Sequence, residues 1–138
     1  MANDFEVSAD VAAPPDAVWR VAGDPGAVGE WFGAVSECRM DGDTRTVTMR
    51  NGATLVERIV DRDDDARTYS YEVVSGIPGL LRHRATIRVE PTGGGSRVHW
   101  RQTGESEVEG YDMESRLRGV MTSGLNGLRA LVEDGPRG

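Results

Sequence analysis

A chain of 138 residues, 38% hydrophobic and 28% charged, has the size and composition of one globular domain that can bury a core without staples. Its formal net charge of −7 argues against a nucleic-acid backbone as the main partner, and its single cysteine, Cys38, excludes an intramolecular disulfide and leaves little for a thiolate metal site. All 16 basic residues are arginine, which removes Schiff-base lysine chemistry.

No apolar run approaches the roughly 20 residues that a membrane helix needs. The start, Met1-Ala2-Asn3-Asp4-Phe5, lacks the basic and apolar stretches of a secretory signal, so the expected location is the cytoplasm. Phe5 to Val11 alternates with period two and reads as a strand. "PPDAVWRVAG" then reads as a short helix, with prolines where a missing N–H does no harm and Gly23 at its end. Asp24-Pro25 repeats the start signal for a second short helix that reaches about Trp31-Phe32.

From there the pattern is strand. Val35 to Met40 leads through Asp41-Gly42-Asp43 into Arg45 to Arg50, which ends at the hairpin signal Asn51-Gly52. Thr54 to Asp61 and Thr68 to Val74 flank the acidic turn "DRDDDAR", and "SGIPGL" is a loop. His83 to Glu90 and Arg97 to Thr103 are joined by the turn Pro91 to Gly95. Met113, Leu117, Val120, Met121, Gly124, Leu125, Leu128, Leu131 and Val132 then recur at three- and four-residue steps, predicting one long amphipathic helix, with fraying expected over Asp134 to Gly138. Gly119, Gly124 and Gly127 weaken that helix intrinsically and leave room along its face. The reading is a single α+β domain over residues 1–138, a curved seven-stranded antiparallel sheet wrapped around a long C-terminal helix, with two short helices after strand one.

"ADVAAPPDAVWRVAGDPGAVGEWF", "TLVERIVDRDDDARTYSYEVVSG" and "SRVHWRQTGE" before the terminal helix resemble the START/Bet v 1-like (SRPBCC) helix-grip superfamily, nearest to polyketide cyclase/dehydrase-type and MxaD-like members. The likeness covers essentially the whole chain and implies the same helix-grip fold. More remotely, Thr54 to His83 is similar to the corresponding part of plant abscisic-acid receptors. That likeness implies an inward carboxylate at Glu57 and loops at Arg50 to Ala53 and Ser75 to Leu81 in the places of gate and latch. The chain lacks the Ser-Gly-Leu-Pro and Gly-x-His-Arg motifs of those loops, and no inward basic strand residue stands out, so hormone reception is not implied.

Strand phase assigns an inner wall. Leu55, Glu57 and Ile59 share one side, as do Tyr69, Tyr71 and Val73; His83, Ala85, Ile87 and Val89 form a third row, and Val98, Trp100 and Gln102 a fourth. A solid core would leave Glu57, His83 and Gln102 in need of partners, whereas a wetted, partly apolar cavity tolerates a few convergent polar groups. The expected ligand contacts are Leu55, Glu57, Tyr69, Tyr71, His83, Trp100 and Gln102 from the sheet, Trp31 and Phe32 near the mouth, and Met113, Leu117 and Met121 from the long helix, with Ser75 to Leu81 as lid.

The expected function is binding of a hydrophobic or amphipathic small molecule between sheet and helix. An alternative implied by the resemblance is a cyclase, aromatase or dehydratase on a polyketide-like substrate, with Glu57 and His83 as acid/base pair. A weaker alternative is a protein-interaction module that uses the outward Arg84, Arg88, Arg97, His99 and Arg101, which otherwise read as a solvated face with cross-strand pairing. Asp61, Asp63, Asp65 and Glu72 mimic calcium-loop spacing, but Ala66 replaces the required glycine and strands flank the loop, so a solvated turn is expected. No metal, cofactor or nucleic-acid partner is expected, and the oligomeric state is not read from the sequence.

Overall fold

A computed structural model of the chain describes residues 2–134. Strand β1 (Ala2–Val11) leads into helix α1 (Pro15–Ala22), a 3₁₀ turn (Pro25–Ala27) and the one-turn helix α2 (Val28–Trp31). Strands β2 (Val35–Asp41), β3 (Thr44–Met49), β4 (Thr54–Asp63), β5 (Thr68–Ser75), β6 (Leu80–Thr92) and β7 (Gly95–Ser106) follow, and helix α3 (Met113–Asp134) ends the described chain. The seven strands form one antiparallel sheet in the order β1-β7-β6-β5-β4-β3-β2, the helix-grip arrangement.

Local chemistry explains the punctuation. Pro15 opens α1, and the Asp24 carboxylate accepts from the Gly26 N–H at 3.0 Å to start the 3₁₀ turn. Asp112 caps α3, accepting from the Ser115 N–H at 3.1 Å and its hydroxyl at 2.7 Å. In the acidic turn, one Asp63 oxygen accepts from the amides of Asp65 and Ala66 at 3.0 and 3.1 Å. No cluster able to hold a metal ion occurs there or elsewhere among the described residues.

Most strands outrun their sequence signals, three of them by three residues at one end. β1 starts at Ala2 rather than Phe5, β6 at Leu80 rather than His83, and β7 extends to Ser106. Pairing supplies what alternation did not, since Ala2 lies opposite Glu105 and Leu80 opposite Ser106. Asp134, expected to fray, closes α3, and residues 135–138 lie outside the described part.

Met121, Leu125 and Leu128 of α3 join Val7, Ile87 and Val98 in one buried cluster with Val18 and Trp19 of α1. The outward basic residues are paired across strands: Arg97 with Asp10, Arg101 with Asp4, and His99 with Glu6 and Glu90. Among the described residues no helix is long and apolar enough to cross a membrane.

The glycines of α3 differ in their surroundings. A β-carbon on Gly119 would meet open space, whereas one on Gly127 would stand 2.3 Å from the Trp31 carbonyl oxygen. Gly119→Ala should therefore stabilise the protein by about 0.5–1 kcal/mol through backbone entropy and helix propensity. Gly127→Ala should destabilise it by about 1–3 kcal/mol by forcing α2 and α3 apart. Urea unfolding of the two variants checks the opposite signs.

Candidate functional site

Period-two alternation turns Leu55 and Glu57 of β4, Tyr71 and Val73 of β5, His83 of β6, and Trp100 and Gln102 of β7 towards the inner face. There they line a cavity of about 110 Å³. Leu117, Val120 and Met121 of α3 form the facing wall, and Val28 and Phe32 close one end. Apolar groups make most of the lining, and the polar groups are concentrated on Arg45, Glu57, His83 and Gln102.

Nine of the expected contacts line this space: Phe32, Leu55, Glu57, Tyr71, His83, Trp100, Gln102, Leu117 and Met121. Trp31, Tyr69 and Met113 do not, and each is displaced for a local reason. Trp31 is turned into the packing of α2, edge-on to Trp100 with ring centroids 5.6 Å apart. Its buried indole N–H has no acceptor among the described residues. Tyr69 sits behind the wall with its hydroxyl on Arg45. Met113 starts α3 against Gly104, where its methyl would stand 2.8 Å from an added β-carbon.

The residue that sequence reasoning missed is Arg45. It is 2% exposed, and its Nε donates to a Glu57 carboxylate oxygen at 2.7 Å. Its Nη1 donates to the Pro25 carbonyl at 2.9 Å and to the Tyr69 hydroxyl at 3.2 Å. The guanidinium also lies 4.6 Å from the centre of the Tyr71 ring, a cation–π contact. Glu57 is thus neutralised by an ion pair rather than by wetting of the cavity, the arrangement expected from its phase alone. Burial pushes the Glu57 carboxyl above its ordinary range against the opposing pull of Arg45. Burial disfavours the Arg45 cation, but the Glu57 carboxylate beside it and the hydrogen bond to the Tyr69 hydroxyl act the other way, and its pKa is raised, so it remains charged. The same burial raises the Tyr71 phenol, whose oxygen accepts from the Trp100 indole N–H at 3.1 Å.

His83 is held at both nitrogens. Its Nδ1 accepts from the Val73 backbone N–H at 3.0 Å, so Nε2 carries the proton and donates to the Gln102 side-chain oxygen at 2.7 Å. Burial lowers its pKa from the ordinary 6.5. The fold therefore favours the neutral ring, and its contribution is complete above the unfolded value and lost as pH falls below it. Wild type should lose stability relative to His83→Asn between pH 7.5 and 5.5, measured as the difference in urea midpoints. A constant difference across that range would contradict the neutral assignment.

The expected lid is pinned at both ends. Gly76 takes φ +113°, and a β-carbon there would stand 2.3 Å from the Thr54 carbonyl oxygen, so only glycine fits. The Gly79 carbonyl accepts from the Glu107 N–H at 2.8 Å, and between the two glycines Ile77 reaches the cavity.

Comparison with solved structures returns the same fold. XoxI from Bacillus cereus superposes with a TM-score of 0.83 at 21% identity over 96% of both chains. Major latex-like protein 151 from Panax ginseng gives 0.82 at 17% identity, over 94% of this chain and 97% of that one. Norcoclaurine synthase from Thalictrum flavum, in complex with dopamine and hydroxybenzaldehyde, gives 0.76 at 19% identity, over 100% and 90%. No curated protein matches the sequence. The family described as polyketide cyclase/dehydrase and lipid transport matches residues 2–133. With the helix-grip sheet and helix in place, that match makes the chain a member of the polyketide cyclase/dehydrase and lipid transport family.

Proposed function

We propose that the protein binds a small hydrophobic or amphipathic molecule in the cavity between the sheet and α3. The observation that carries this reading is the lining itself, an apolar chamber with one polar corner built from Arg45, Glu57, His83 and Gln102. A buried charge survives only with a partner, and Arg45 supplies one to Glu57 without filling the chamber. A space of about 110 Å³ suits one ring or a short alkyl segment, below the roughly 300–1,000 Å³ of sites that enclose a whole drug-sized ligand. Native mass spectrometry of protein purified from its own host tests the reading. The expected result is a non-covalent adduct of a few hundred daltons, on the scale of such ligands, that is released on denaturation. Bare chain only, with no uptake of 1-octanol on addition, would contradict it.

A second reading, an enzyme in which Glu57 and His83 move protons, draws on the raised Glu57 carboxyl and on the family's cyclase and dehydrase members. It requires His83 to release either Val73 or Gln102 before its ring can exchange a proton with substrate. Turnover abolished by Glu57→Gln with ligand still bound separates this reading from binding alone.

A further inference from the structure

The β5–β6 hairpin is paired only over its far half. Thr68, Tyr69, Ser70 and Tyr71 lie opposite Arg88, Ile87, Thr86 and Ala85, and there the ladder stops. Beyond it each strand keeps its other neighbour: Glu72 and Val73 pair with β4, and Arg82, His83 and Arg84 pair with β7. The sheet therefore has an open seam, and the amide it leaves behind, Val73 N–H, is satisfied by the His83 ring instead of by a strand carbonyl.

On the outer face the seam widens into a groove of about 610 Å³, and Val73 and His83 line both this groove and the internal cavity. One imidazole thus stands between the two spaces. Val74 and Leu81 are 56% and 60% exposed on the groove wall, an apolar rim beside the seam.

The charges of the groove are unequal in their pairing. Asp4 is matched by Arg101, and Glu105 by Arg82. Arg58 and Arg84 share a single carboxylate, Glu72, at 3.6 Å each, and no other carboxylate among the described residues lies within ion-pair distance of either. That corner holds two guanidinium groups for one acid, at separations that leave donors free for an incoming anion.

We propose that the seam is a lateral port of the cavity, and that the ligand is an amphipathic anion whose acidic head rests on Arg58 and Arg84 while its narrow apolar end passes His83 into the chamber. This rests on the binding reading above and adds the head group and its place. The internal chamber holds only part of such a molecule, and the adjoining groove supplies the remaining room. Passage requires the His83 ring to swing aside, giving up its bonds to Val73 and Gln102.

Octanoate and 1-octanol, equal in chain and different in head, test the proposal by calorimetric titration and by intermolecular NOEs. The expected result is that Arg58→Gln/Arg84→Gln weakens octanoate about tenfold and changes 1-octanol less than twofold. NOEs from the α-methylene of octanoate should reach Val74 and Leu81, and those from its terminal methyl should reach Leu55 and Met121. If the α-methylene instead contacts Ile77 and Val120 while the terminal methyl stays in the chamber, the port is wrong and the binding reading stands. Equal loss of both ligands in the double variant would also overturn the port. Failure of both ligands to bind wild type would overturn the port and the binding reading together.

Discussion

Glu57→Gln should lower the stability of the folded protein by about 3–5 kcal/mol, because it strands a buried guanidinium that cannot shed its charge. Arg45 is 2% exposed, and Glu57 is its only carboxylate partner among the described residues. The Pro25 carbonyl and Tyr69 hydroxyl solvate the cation but do not neutralise it. The reciprocal variant, Arg45→Met, should behave differently. It leaves a carboxylate, which can escape its burial by taking up a proton. Without the guanidinium the folded-state carboxyl rises further, so the folded chain binds a proton more tightly than the unfolded one. Stability is then retained at low pH and lost as pH rises. Arg45→Met should thus be closer to wild type at pH 5 than at pH 8, while Glu57→Gln shows no such recovery. Arg45→Met/Glu57→Leu should regain most of the loss of either single change, since an apolar pair of similar volume removes both desolvation costs. Urea denaturation at the two pH values gives all four comparisons, and equal, pH-independent penalties for the single variants would refute the buried pair.

Leu117→Trp should weaken binding of 1-octanol at least a hundredfold, equivalent to about 2.7 kcal/mol. Leu117 lies on the cavity face of α3 and is only partly buried, so an indole there can lie across the chamber with one edge at the surface. The space is small enough that one added ring removes most of it. Because the substitution fills a void rather than crowding a packed position, the urea midpoint should stay close to that of wild type. Calorimetric titration beside an unfolding curve distinguishes this from general damage, in which affinity and stability would fall together.

Much of the fold was legible because its periods are clean. Alternation in "TLVERI", "TYSYEV" and "HRATIRV" placed Glu57, Tyr71 and His83 on one concave face, and the three- and four-residue steps from Met113 marked the helix that closes it. Arg45 was legible only in part. It alternates with Val47 and Met49, and the observed three-residue loop, residues 50–52, sets Arg45 directly opposite Glu57, where a two-residue Asn51-Gly52 turn would have set Thr46. Charge hid it, since an arginine between threonines on a short strand reads as solvated until its cross-strand neighbour is also known to face inward.

Tyr69 shares the phase of Tyr71 but not its role, because the guanidinium stands beside its hydroxyl. Trp31 and Met113 were misplaced for a similar reason: whether a side chain next to a cavity faces it depends on how helices seat against the sheet. For Trp31 that seating is set by the close approach of α2 to Gly127. The parting of β5 from β6 is not read from the pattern, because alternation breaks there at Val73-Val74 and Leu80-Leu81 in a way that reads equally as the approach to the connecting loop. Only the use of the His83 ring in place of a ladder carbonyl reveals it.

The hollow interior and its accessibility to an apolar molecule can be read by titrating methyl-labelled protein with 1-octanol. Saturable shifts and intermolecular NOEs should concentrate on Leu55, Val73, Ile77, Leu117 and Met121 and vanish in Leu117→Trp. No contact with these methyl groups at saturating 1-octanol, or contacts confined to the outer face of the sheet, would mean that the chamber between sheet and helix is not a binding site.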